Sequence, residues 1–434
     1  MLVDKLNILV LHSLGAPDLA PRFLRKHVFS LINCFPEHNY LYHDASLPLP
    51  QYVKDIEFDA ILLDVTFLCA RWAGKEYFQR RLAEYAFVAQ SSAVKLAFPQ
   101  DEYDCNEILD RWMCDWNIDV VFSVIASNQH VLYPNFHKQG QIHLGFTGYL
   151  DGSLVNYQYK PFQLRPIDIG YRARKLPPYF GRIGETKWTI GRDVERQAEM
   201  YGLHTDIVLG PEGTLLGDKW ISFINDSKFT LGANSGSSLL DPVGSIQRTV
   251  RSYVDRNPRA TFEEVEAACF YGLDGQYEFT AISPRVLEAA MLGSCQILVE
   301  GEYSGILRPW EHYIPIKNDA SDFSIVFSAM QDQTLVNDLI RSCREAILAT
   351  KSLSYENNAS QVLTLIRELR TKRSTGNGKD VDIGQVTEKY KKEMVNDYKK
   401  MWRKQKAKMQ LKRLLESVPA GKRLISTLRK VRNI

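Results

Sequence analysis

No two cysteines of this chain stand in C-x-x-C spacing, and their number, seven, is odd. Cys34, Cys69, Cys105, Cys114, Cys269, Cys295 and Cys343 are scattered, several within apolar runs where a free thiol packs as a small hydrophobe. This argues against a disulfide framework or a zinc site and for a reducing compartment. No apolar run reaches the roughly eighteen residues that a membrane-spanning helix needs. The strand-like start, Leu6–Leu11, is too short for the core of a secretory signal, so a cytoplasmic protein is expected. The nine histidines form no H-x-x-x-H pair. The only D-x-D, Asp380-Val381-Asp382, lies beside Ser374–Gly378, which reads as a flexible linker. No metal is therefore expected. No G-x-G-x-x-G follows the first strand, which disfavours NAD, and no cofactor is expected.

What the chain does have is an uneven charge. Its 54 Lys and Arg and 51 Asp and Glu divide into 19 and 6 over residues 371–434, against 35 and 45 over residues 1–370. An acidic body carries a basic tail, unlike a uniformly basic nucleic-acid binder, so no nucleic acid is expected as partner. The length suggests two domains or more. The hydrophobic fraction, 45%, is ordinary for a globular protein with real cores.

Strand and helix signals alternate through the first part. Strands are predicted at Asn7–His12, Asn39–His43, Ala60–Val65, Val94–Phe98 and Val120–Val124. Helices are predicted at Pro21–Cys34, Lys75–Ala89 and Asn106–Trp116. The alternation resumes with strands at Pro166–Tyr171, Asp206–Val208, Lys228–Leu231 and Gln296–Val299. Its helices are Arg192–Tyr201, Trp220–Asn225, Thr261–Cys269, Pro284–Leu292 and Gln333–Ser352. Continuous apolar strands alternating with helices imply parallel, doubly covered sheets. The fold class is thus α/β, with two Rossmann-like domains, 1–155 and 156–370, and a basic helical tail, 371–434. Ligands of such sheets bind beyond the strand carboxyl ends, where site residues are sought.

The most informative segment is Ser283-Pro284-Arg285-Val286-Leu287-Glu288-Ala289-Ala290. Ser283 caps a helix, Pro284 suits its first position, and Gly293 stops it. Arg285 and Glu288 share one face of the first turn, beside a helix N-terminus that favours anions. A guanidinium clamps a diphosphate, and a carboxylate accepts ribose hydroxyls. An ordinary capped helix with a surface Arg and Glu has the same letters.

Together with Ile169-Gly170-Tyr171-Arg172-Ala173-Arg174-Lys175-Leu176-Pro177 and Leu231-Gly232-Ala233-Asn234-Ser235-Gly236-Ser237-Ser238, this segment gives residues 1–365 a family likeness. The chain resembles GT-B glycosyltransferases, in particular the family-4-like enzymes of bacterial surface-polysaccharide synthesis. The resemblance implies a nucleoside-diphosphate sugar as donor and a glycan or lipid-linked glycan as acceptor. It implies donor binding by Arg172, Arg174, Lys175, Ser235, Gly236, Ser237, Ser283, Arg285 and Glu288. Glu288 matches the second of the family's two glutamates eight apart. The position eight before it is Thr280, with Glu278 two residues further back, so retention and inversion both stay open. A nucleotide-sugar epimerase and a non-catalytic scaffold also remain alternatives.

On the acceptor side, Asp101 and Glu102 follow strand Val94–Phe98, where a carboxylate serves as general base. His12, after the first strand, is a second base candidate, and Gly15 opens the loop beside it. The tail helix, Val386–Ser417, places Tyr390, Met394, Tyr398, Met401 and Trp402 along one side. A basic helix with such a face is expected to lie on an anionic membrane surface, at the inner face of the cytoplasmic membrane, or to form a coiled coil with a protein partner. Pro419-Ala420-Gly421 then breaks it before a second basic segment, Lys422–Val431.

Overall fold

The computed structural model describes residues 5–15, 20, 22–373 and 383–416. The expected linker at 374–378, the D-x-D at 380–382 and the segment 422–431 lie outside these residues.

Two parallel sheets organise the chain. The first comprises β1 (Asn7–His12), β2 (Asn39–Asp44), β3 (Ala60–Leu63), β4 (Val94–Ala97), β5 (Val120–Ser123) and β6 (Gln141–Leu144), in the order β2-β1-β3-β4-β5-β6. The second begins with β7 (Ile167–Arg172), β8 (Thr205–Val208) and β9 (Ser227–Gly232). A short antiparallel pair follows, β10 (Ser235–Ser237) with β11 (Phe279–Ala281). Then β12 (Cys295–Val299) and β13 (Ile314–Ile316) complete the order β13-β12-β9-β7-β8. This is the expected α/β class with two Rossmann-like domains.

Strands β3, β4 and β5 are buried at every position, which is why they read as mainly apolar runs; the one buried cation among them, Lys95 of β4, donates to the Ala89 and Trp116 carbonyls. Alternation sorts β1 between two cores: Leu9 and Leu11 face one side with Ile61 and Leu63, Ile8 and Val10 the other with Leu62. The expected strand Ala60–Val65 stops at Leu63, because the Asp64 carboxylate accepts from Thr66 N at 2.8 Å and caps the next helix. The helix expected from Arg192 begins at Gly181 and runs to Met200. Its glycines are sites of close approach: a Cβ at Gly184 would lie 2.4 Å from Phe180, and one at Gly191 2.6 Å from Leu209. Glycine's low helix propensity hid this half of the helix.

Two segments cross between domains. The helix Tyr355–Thr371, which sequence order groups with the second domain, packs Ala359, Val362, Leu363 and Ile366 against Ile8, Val10 and Leu62 of the first. Conversely, Phe146, Tyr149, Leu150 and Leu154 pack with Leu287 and Met291 of the second. An apolar helical stripe says that a helix is covered, but not by which sheet.

The tail helix spans Ile383–Glu416 and docks on the first domain. Tyr390 and Ile383 are buried, and Val386 and Met394 pack beside the first-domain core. The Tyr390 hydroxyl lies 2.7 Å from His43 Nδ1, and the Tyr398 hydroxyl donates to Asp44 Oδ2 at 2.5 Å. Burial pushes the His43 imidazole down to about 3, so it stays neutral between the Tyr390 and Tyr85 hydroxyls. Most of the aromatic face expected to meet lipid is thus turned onto the protein itself, because phenols with hydrogen-bond partners bury well.

One backbone contact holds the short pair β10–β11. Gly236 has φ 133°, and a Cβ there would lie 1.8 Å from the Phe279 carbonyl oxygen. Gly236→Ala is expected to cost about 1–3 kcal/mol, read as a lower midpoint in thermal unfolding, while Ser235→Ala leaves the midpoint nearly unchanged.

Candidate active site

Each sheet reverses its winding once. In the first sheet β1 lies between β2 and β3; in the second β7 lies between β8 and β9. Strands diverge on either side of such a point, and a crevice opens at their carboxyl ends. The residues following β7 and β9, the N-terminal half of the helix Gly181–Met200 and the start of the helix Pro284–Met291 surround the second crevice.

Ser283 caps that last helix as expected, with φ −83° and ψ 144°, accepting from Arg285 N. Arg285 is exposed; its Nη1 donates to the Arg172 carbonyl at 2.6 Å, and its guanidinium sits 5.3 Å from the Trp220 ring centroid. Glu288, one turn on, accepts from Trp220 Nε1 at 2.7 Å. Burial raises the Glu288 carboxyl above its ordinary range, while Trp220 and Arg285 oppose that shift. Arg285 and Glu288 are thus brought together over one indole.

Other expected donor residues are dispersed. Arg172 turns away from the crevice: it pairs with Asp206 at 2.7 Å and lies 4.0 Å over the Phe223 ring. Arg174 is exposed and donates to the Thr214 hydroxyl. Lys175 is exposed, 3.8 Å from Glu185 and over Trp188. The Gly-rich segment is half strand. Ser237 is buried, and its hydroxyl closes a turn with Leu239 N and O. Ser235 faces the cleft, its hydroxyl 3.4 Å from Lys187 Nζ.

Lys187 is the cation that the sequence reading missed, because its helix was expected to start only at Arg192. The ammonium is desolvated, which pulls it down to about 8; Asp101 opposes the shift and Arg285 adds to it. Lys187 therefore feels the charge of an acid of the first domain and of a cation of the second. Two polar atoms on this side, Glu185 Oε2 and Asn234 Oδ1, are buried with no hydrogen-bond partner, as are Arg172 Nε beneath them and Glu102 Oε2, Asn106 Oδ1 and Trp112 Nε1 in the first domain. Native interiors rarely leave such atoms unpaired, so each is open to a further polar partner. Asn234 was legible as part of a loop, but not as a contact.

Asp101 occupies the facing wall. Its backbone is left-handed, φ 48°, and its Oδ1 accepts from the Tyr103 hydroxyl at 2.6 Å. Such a conformation is unfavourable for a non-glycine residue and needs outside support. Buried Arg71 supplies it: the guanidinium donates to the carbonyls of Gln100 and Asp101 at 2.9 Å, Asp104 at 3.1 Å and Leu68 at 3.1 Å. The second domain grips the same loop, with Cys105 N donating to Asp241 O at 2.7 Å and Asp241 N to Tyr103 O at 2.9 Å.

Glu102 points the other way. It is fully buried, accepts from the Tyr133 hydroxyl at 3.1 Å, and is pushed up to about 7 by burial. It sits apart from the cleft, as the alternation of adjacent side chains requires. His12 lies at the first sheet's reversal point, buried, with its imidazole lowered chiefly by burial and partly restored by Asp44 and Asp64. Gly15 has φ 71°, and open space surrounds the position a Cβ would take. Among the described residues no group of three or more His, Cys, Asp and Glu is placed to hold a metal ion. Nor is any described helix long and apolar enough to cross a membrane.

No family model matches the chain, and no curated protein matches it. Solved structures do resemble it. An alpha-glucosyltransferase in complex with UDP-glucose and DNA containing an abasic site aligns with TM-score 0.48 and 9% identity over 84% of this chain and 100% of that one. HepE from Anabaena, in complex with UDP and glucose, aligns with TM-score 0.48 and 8% identity over 84% and 100%. Sucrose-phosphate synthase from Thermosynechococcus elongatus aligns with TM-score 0.45 and 14% identity over 85% and 100%.

Arg71→Met takes a donor from four carbonyls, of which Asp101 O keeps Asp104 N and Asp104 O keeps Trp72 Nε1, and a loss of about 3 kcal/mol is expected. Chemical denaturation measures the loss. Arg71→Lys recovers only part of it, since one ammonium cannot span the fork.

Proposed function

We propose that the protein is a glycosyltransferase of the GT-B type. It transfers a sugar from a nucleoside-diphosphate sugar to a glycan or lipid-linked glycan in surface-polysaccharide synthesis. The observation that supports this most is the convergence of Lys187, Arg285 and Glu288 on one wall of the cleft with Asp101 on the other. The acceptor oxygen attacks the anomeric carbon as Asp101 takes its proton, and the bond to the diphosphate breaks. Lys187 and Arg285 stabilise the charge that develops on the departing diphosphate, fixed cations standing where other transferases use a metal. Glu288 holds the ribose hydroxyls, exchanging its Trp220 partner for them. Ser235 and Asn234 face the sugar and phosphate. Closure of the cleft excludes water and limits donor hydrolysis. The basic tail places the enzyme at the inner face of the cytoplasmic membrane, near a lipid-linked acceptor.

Binding of UDP, followed by calorimetry, tests the donor side. Arg285→Ala and Lys187→Met should each weaken it by about 1.5–3 kcal/mol, and Glu288→Gln should weaken it less. Unchanged affinity in all three would place the donor elsewhere. Asp101→Asn should slow transfer from UDP-glucose while leaving UDP binding intact. Products analysed as free sugar, epimer and transferred sugar, with glycans and duplex DNA among the acceptors, separate a transferase from an epimerase or a scaffold.

The pH dependence follows from Lys187. A neutral amine cannot pair with phosphate, and the amine loses its proton near pH 8 in the free protein. UDP affinity should therefore hold below pH 8 and fall above it, by at most about tenfold per pH unit. Bound phosphate raises the lysine pKa, so the decline ends only at that higher value. Lys187→Met should flatten the profile between pH 7 and 9.

A further inference from the structure

The tail helix Ile383–Glu416 has two faces of different character. The inward face is committed to the first domain through Ile383, Tyr390 and Tyr398. The face turned to solvent carries Lys392, Val395, Lys399, Trp402, Arg403 and Lys406, recurring at the three- and four-residue steps of one helical side, and all six are exposed. Trp402 and Val395 stay 46% and 48% exposed in the midst of these cations. The nearby carboxylates are engaged elsewhere: Glu388 with Lys391 at 2.8 Å, Asp397 with Lys400 at 3.1 Å, and Glu393 with the Tyr52 hydroxyl at 2.6 Å. Among the described residues, Lys392, Lys399, Arg403 and Lys406 have no carboxylate within ion-pair distance.

We infer that this outer face seats the protein on an anionic lipid surface while the helix remains docked, with Trp402 entering the headgroup layer. Unpaired cations around an exposed indole match such a surface, which attracts each nearby Lys or Arg and accepts a ring at its interface. This assignment differs from the sequence expectation in the side that meets lipid: Tyr390 and Tyr398 hold the body and Trp402 faces outward. It also orients the molecule. The helix runs along the edge strand β2 from Tyr40 to Asp44, and the Tyr398 hydroxyl reaches both Asp44 and the Gly15 carbonyl, the latter at 3.1 Å, at the carboxyl ends of β1 and β2. The Gly15 loop would then stand about one helix diameter, roughly 10 Å, from the lipid. The inference rests on the membrane placement proposed above, but vesicle binding needs neither donor nor acceptor, so its failure leaves the transfer reaction untouched.

Sedimentation of the full chain with vesicles tests it. Binding is expected to vesicles of phosphatidylglycerol and phosphatidylcholine, with release in high salt, and not to phosphatidylcholine alone. The fourfold variant K392Q/K399Q/R403Q/K406Q should bind the anionic vesicles at least about tenfold less, with an unchanged unfolding midpoint. Brominated lipid should quench tryptophan fluorescence in the parent and much less in Trp402→Phe. Amides around Tyr390 should stay protected from hydrogen exchange on vesicles. Equal binding to neutral vesicles, full binding by the fourfold variant, or loss of protection at Tyr390 would each overturn the assignment. So would a concentration-dependent dimer that the fourfold variant abolishes, which would make this face a protein contact.

Discussion

The constraint on which the rest depends is that both sheets are parallel. A parallel strand must be followed by a crossover, and crossovers gather the loops after the strands at one end of the sheet. Where the winding reverses, beside β1 and beside β7, those loops part and leave a crevice. His12, Asp44, Asp64 and Asp101 therefore belong to strand ends of the first domain, and Arg172 and Asn234 to those of the second, while Ser283 follows the short antiparallel pair. Chemistry on this chain has few other places to be.

Holding two such ends in register needs contacts that are neither strand nor helix. The loop 100–105 provides them. It is fixed from below by Arg71, whose planar fork meets the carbonyls of Gln100, Asp101 and Asp104 at once. From across the cleft it is gripped by the backbone around Asp241 and by Gln247, whose amide donates to Asp104 at 2.9 Å. Burial raises the Asp104 carboxyl to about 6, so the grip itself is sensitive to proton uptake in mildly acidic solution. The strained backbone at Asp101 persists because these partners over-determine it. A carboxylate on a loop thus gains the rigidity of a sheet.

The tail shows how one pattern serves two readings. Tyr390, Met394 and Tyr398 recur at helical spacing, and a sequence reports only that such a side is covered by something. His43 and Asp44, displayed at the end of β2, supply hydrogen-bond partners that lipid lacks. The covered side therefore belongs to the protein, and the cations opposite are left to face outward.

Much was legible in the chain alone. Apolar runs marked β1 and β3, since burial on both faces leaves little polar alternation there, whereas β9 alternates. Ser283, Pro284 and Gly293 punctuated one helix correctly, because capping is a local event decided by a few neighbouring atoms. The placing of Arg285 and Glu288 on one face of that helix's first turns followed from the same local signal. Other features had no local signal. Lys187 lay in a helix hidden by glycines whose purpose is to let Phe180 and Leu209 approach. The orphaned atoms of Glu185 and Asn234 are defined by the partners they lack, which only a folded environment reveals. Arg172 matched its motif yet turned to Asp206 and Phe223. The amino-acid sequence determined which segments are strands and helices, because those choices rest on burial pattern and caps. Only the tertiary structure decided which sheet covers the helix Tyr355–Thr371, which side of the tail meets solvent and which cations share a cleft, because those depend on distances between residues far apart in the chain.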